Sequence, residues 1–149
     1  MINFSKNFDI REVGAPVAAA DDTDQNTDIL DMSGYESVCF VVPVTDSVAT
    51  GVATITAQQN TTNSDTGMAA LSGAVATATC TTNDDLNNKL LVLDVVRPSE
   101  RYVGAAVTSA TANIAFGNTL AILYNGRTLP YSAHSTILQR TTAISPSES

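Results

Sequence analysis

The chain has 149 residues, which favours one domain with a core it can bury without metal or disulfide staples. Its net charge is −8, with seven Lys plus Arg, so it lacks the positive cluster that nucleic acid requires. No run of about 18 apolar residues is present to span a membrane, and the many Ala and Thr with only 5% aromatics point to an all-β chain of small side chains.

Residues 1–28 read as an N-terminal arm or edge strand followed by an acidic loop. Ile2, Phe4, Phe8, Ile10, Val13 and Val17 alternate weakly, and Gly14 and Pro16 interrupt them. The opening residues Met1 to Lys6 lack the apolar stretch of a secretory signal, so synthesis in a cytoplasm without export by the general route is expected. Residues 21–28, Asp-Asp-Thr-Asp-Gln-Asn-Thr-Asp, form the loop.

Residues 29–126 carry the strand signals of the core. The run 36–44, Glu-Ser-Val-Cys-Phe-Val-Val-Pro-Val, suits a strand covered on both faces, with Pro43 marking an unpaired stretch. In 51–59, Val52, Thr54, Thr56 and Gln58 face one way, and Ala53, Ile55 and Ala57 the other. Residues 73–82 are a strand of small residues, and 89–96, Lys-Leu-Leu-Val-Leu-Asp-Val-Val, give the strongest strand signal. Further strands are expected over 101–108, 112–116 and 120–124, before the turn dipeptide Asn125-Gly126. Residues 127–149 read as an extended tail. The pattern predicts a β-sandwich or jelly roll of seven or eight short antiparallel strands with extended terminal arms.

The chemistry-bearing residues are sparse. His134 is the one histidine, and no nucleophile elbow accompanies it, so no catalytic residue is assigned. Asp22-x-Asp24-x-Asn26 opens like a calcium loop, but Thr27 stands where the turn needs Gly and Ser33 where the bidentate Glu should be. No cofactor or metal is expected. Cys39 and Cys80 lie in apolar runs and read as free thiols. Asp94, a charge within an apolar strand, needs a partner, and Arg97 or Arg101 beyond the Arg-Pro-Ser-Glu turn is the expected one.

The runs Asp85 to Val103 and Ala121 to Pro130, followed by Ser135-Thr136 and Ile144-Ser145-Pro146, resemble head decoration, or cement, proteins of tailed bacteriophages. The resemblance covers roughly residues 29–146. It implies a structural virion protein on the outer capsid surface, made in the host bacterial cytoplasm. It also implies the major capsid protein as partner, together with the chain's own copies in a homodimer or homotrimer. No active-site residues come with it. Arg97, Arg101 and Arg127 are the candidates for polar bridging, and Leu129, Tyr131, Ile137, Leu138 and Ile144 are apolar anchors in the tail. The alternatives are another phage component (head-completion, tail or fibre-associated) or a calcium- or carbohydrate-binding sandwich module.

Overall fold

The computed structural model describes residues 3–145. Ile2 of the N-terminal alternation and Pro146 of the tail lie outside the described residues. Eleven strands follow a four-residue helix, α1 (Phe4–Asn7). They are β1 (Asp9–Gly14), β2 (Val17–Ala20), β3 (Asp24–Asn26), β4 (Leu30–Asp31), β5 (Ser37–Ser47), β6 (Val52–Asn60), β7 (Ala69–Thr79), β8 (Lys89–Val96), β9 (Tyr102–Ala110), β10 (Ile114–Phe116) and β11 (Thr119–Tyr124). They pair into two antiparallel sheets, so the chain is all-β and folds as a β-sandwich.

In the first sheet, β11 and β10 pair with one side of β5, and β8 pairs with the other. β1 flanks β11 and β2 flanks β10. The handover from β11 to β10 falls at Val42–Pro43, since Val41 opposes Leu120 and Val44 opposes Phe116. Proline has no N–H to give, and the handover is where none is asked for. Gly117 turns the chain there and donates its N–H to the Pro43 carbonyl at 2.9 Å. A Cβ at Gly117 would come within 2.7 Å of the proline ring.

The second sheet runs β3-β9-β6-β7, with β4 also on β9. Period-two alternation sends Ala53, Ile55, Ala57, Val103, Ala105 and Val107 inward. They meet Val38, Phe40, Val42, Val44, Leu123 and Ala121 from the first sheet. Small residues on β6, β7 and β9 make room for Phe40 and Phe116, the two largest fully buried side chains.

Of the two readings of the N-terminal segment, the structure shows the edge strand. β1 and β2 extend the first sheet, and β3 and β4 extend the second, so residues 9–31 cross between the sheets. Three of the eight residues of the acidic stretch are therefore strand, with Asp24 opposite Thr108. Buried Thr27 donates its hydroxyl to the Asp28 carbonyl and accepts the Ala105 N–H, both at 3.0 Å. The extra short strands account for eleven where seven or eight were expected. Their partners lie far along the chain, which local patterning does not reveal.

The run 36–44 is covered fully on one face only. Val38, Phe40, Val42 and Val44 are 0–3% exposed, while Cys39, Val41 and Pro43 are half-buried on the outside.

Candidate interaction surfaces

Register fixes what each sheet shows to the outside. Across the first sheet, Glu12, Leu120, Val41 and Val92 form one outward row, and Ile10, Ile122, Cys39 and Asp94 form the next. Leu90 lies beside Pro43, and Val96 lies beside Ser37. Leu90, Val92 and Val96 are 60%, 53% and 59% exposed. The outer face of the second sheet has the rows Asp24, Thr108, Thr54, Thr77 and Asn26, Ala106, Thr56, Val75. Thr54 and Thr77 share a hydroxyl–hydroxyl hydrogen bond of 2.8 Å across the strands. One outer face is thus aliphatic, and the other is largely threonine and polar.

Asp94 does not pair with an arginine. It sits at an outward position of β8, exposed, and accepts the Tyr124 hydroxyl at 2.6 Å. Burial, then the Asp94 carboxylate, pushes the Tyr124 phenol up to about 12. Burial also pushes the Cys39 thiol up, with Asp94 adding to it. Cys39 is half-buried, Cys80 is buried, and both are free.

The three candidate arginines gather at one end of the sandwich, in the turns after β8, before β9 and after β11. Arg97 Nε donates to Glu36 at 3.0 Å. Arg101 forms a two-pronged pair with Asp31 at 2.9 and 2.8 Å, and its guanidinium lies 5.2 Å from the Tyr102 ring. The hydrogen bonds from Arg101 hold the Asp31 carboxyl well below the usual carboxylate range. Arg127 is exposed and has no ion pair among the described residues. Arg101 and Arg127 line one open cavity of about 390 Å³ with Tyr35 and Glu36. The single Arg97–Glu36 contact is exposed and contributes little stability, whereas the two-pronged Arg101–Asp31 pair has the better geometry.

The tail anchors divide into two groups. Tyr131 is 7% exposed and packs on Tyr35, ring centroids 5.2 Å apart. Its hydroxyl presses so closely on Gly126 that any side chain there would collide. Half-buried Ile137 lines a cavity of about 280 Å³ with Phe8 and Ile10. Leu129, Leu138 and Ile144 point to solvent, at 50%, 104% and 78% exposure. The tail returns to its own N-terminal segment: Tyr131 N–H donates to Lys6 O at 2.9 Å, and Arg140 donates to Ser5 O at 2.9 Å. Thr136 Oγ1 accepts the Glu12 N–H of β1 at 3.2 Å.

Sequence reading missed one buried polar cluster. Asp9, 5% exposed, accepts the Tyr35 hydroxyl at 2.5 Å and Arg11 Nη2 at 2.8 Å. The spacing Asp9-x-Arg11 on a period-two strand was the available signal, since it places both side chains on one face.

His134 Nδ1 contacts only Thr136 of its own turn, at 2.9 Å. Among the described residues, no three His, Cys, Asp or Glu side chains are grouped to hold a metal ion. No helix there is long and apolar enough to cross a membrane. The features together define a β-sandwich with one aliphatic outer face and an arginine-bearing end. No family model matches the chain, and neither does any curated protein.

Proposed function

We propose that the chain is a structural virion protein that decorates a bacteriophage capsid and bridges its major capsid protein subunits from outside. The observation that supports this reading is the aliphatic outer face of the first sheet. Its outward rows leave Leu90, Val92, Val96 and Leu120 37–60% exposed on one surface, with Glu12 and Asp94 as the charges among them. Exposed Arg127, and Arg97 and Arg101 beside it, would supply polar bridges at the rim. Leu129, Leu138 and Ile144 offer further apolar contact along the tail. Many such weak contacts, repeated over a shell, add up through multivalency. The homo-oligomer and the position on the outer capsid surface belong to the same proposal.

Copy number in purified particles tests it, by quantitative mass spectrometry against the major shell protein. Hundreds of copies in a simple ratio to the shell are expected. Three to a dozen would move the protein to the neck or tail, and absence would end the virion reading.

A further inference from the structure

Sandwiches must protect their sheet edges, because an unpaired strand offers its N–H and C=O groups to any passing chain. Most edges here carry a protecting device. β1 has a register shift at Glu12/Gly14, and the tail lies on it through Thr136. β2, β3 and β4 are four, three and two residues long. β7 is long, but it is bulged between its pairings with Thr56 and Gln58, and Gly73 there has φ +80°.

β8 has no bulge or covering segment among the described residues, and its charges stand only at Lys89 and Asp94. It runs eight residues in unbroken register with β5, from Lys89 opposite Val44 to Val96 opposite Ser37. It contains no proline. Among the described residues, the backbone from Leu90 to Val96 has no hydrogen-bond partner besides β5. Its outward side chains are the most exposed part of the aliphatic face.

We infer that β8 is a dimerisation edge, pairing antiparallel with β8 of a second copy across a two-fold axis. An antiparallel strand pair has that symmetry built in, so each residue pair forms twice. With the axis at Leu91, Leu90 faces Val92 in both directions, and Lys89 faces Leu93. No like charges oppose each other. With that register the strand residues Lys89–Leu93 of the two copies overlap over about 16 Å, and at about 20 Å depth the contact buries about 650 Å² over two copies, the size of a weak, concentration-dependent association. The pairing would join two aliphatic faces into one surface eight strands wide.

Sedimentation velocity on the full chain, from about 1 to about 100 µM, is the test, with hydrogen exchange to locate the contact. A concentration-dependent dimer is expected, with the outward amides of Leu90 and Val92 protected in it. Val92→Lys and Leu90→Lys should each weaken dimerisation at least about tenfold and leave the melting temperature of the domain unchanged. A chain that stays monomeric over this range overturns the inference. So does a dimer that neither substitution weakens, or one whose protection maps to other strands. The inference stands on the edge geometry alone. A β8 dimer missing from capsids would defeat only the capsid reading, and capsid binding by a monomer would defeat only the dimer.

Discussion

On one long side of the sandwich, residues 9–31 cross from sheet to sheet, while on the other β7 and β8 end the sheets with no further strand among the described residues. The crossing side is tied by Thr27 against Ala105, by Asp28 N–H to Val13 O at 2.8 Å, and by Ser109 Oγ to Ala20 O at 2.8 Å. It buries Val13 and Leu30 almost completely. The opposite side leaves backbone groups unpaired and Leu90, Val92 and Val96 in solvent. The first side is thus closed by strands that pair with both sheets, while the second carries the exposed aliphatic side chains of β8.

Two leucines give the largest contrast. Leu30→Ala on the closed side should cost about 3 kcal/mol, because it opens a cavity at a position 2% exposed. Leu90→Ala, at 60% exposure, should change stability by less than about 0.5 kcal/mol at concentrations where the chain is monomeric. Chemical denaturation of both variants checks this, and equal costs would erase the distinction between the sides.

Thr27→Val should cost about 1–3 kcal/mol. The valine keeps the volume but leaves the Ala105 N–H without its acceptor. Hydrogen exchange at Ala105 should accelerate while exchange in β8 stays unchanged.

Acid should weaken both sides. Asp31 is held low by Arg101, and Asp85 by hydrogen bonds from the Thr81 hydroxyl and its neighbours. A carboxyl whose folded value is depressed stabilises the fold fully above its unfolded value, near 4. That contribution is lost as pH falls from there towards the folded value. Denaturation midpoints should be flat from pH 7 to about 5 and fall below about 4. Arg101→Ala should remove the Asp31 share of that fall and keep the Asp85 share.

The smallest effect concerns Tyr124. Asp94→Asn removes the carboxylate but not the burial, so the phenol should titrate below its present value of about 12 and still above 10. Ultraviolet absorbance against pH reads it directly.

Some of this architecture was legible in the sequence. The alternation in β6 put Ala53, Ile55 and Ala57 on the core side, where they are fully buried. Pro43 marked a place unpaired on one side, at the handover from β11 to β10. The strand at 89–96 was plain, but its uninterrupted apolar run concealed which residues faced outward. Asp94 was therefore assigned to the wrong environment. The ion pairs were hidden by distance along the chain, since Arg97 meets Glu36 across 61 positions and Arg101 meets Asp31 across 70. The short strands β1 to β4 owe their existence to distant partners, not to their own propensity. Of the tail residues singled out, Tyr131 turned inward onto Tyr35, and nothing in local spacing separates it from exposed Leu129.

Residue-resolved hydrogen exchange on the full chain, at low and high concentration, tests the contrast between the two sides most directly. The account predicts that new protection at high concentration falls on the outward amides of Leu90 and Val92 in β8 and leaves β3, β4 and β6 unaltered. New protection on the threonine face or on residues 9–31, with β8 still exchanging freely, would contradict it.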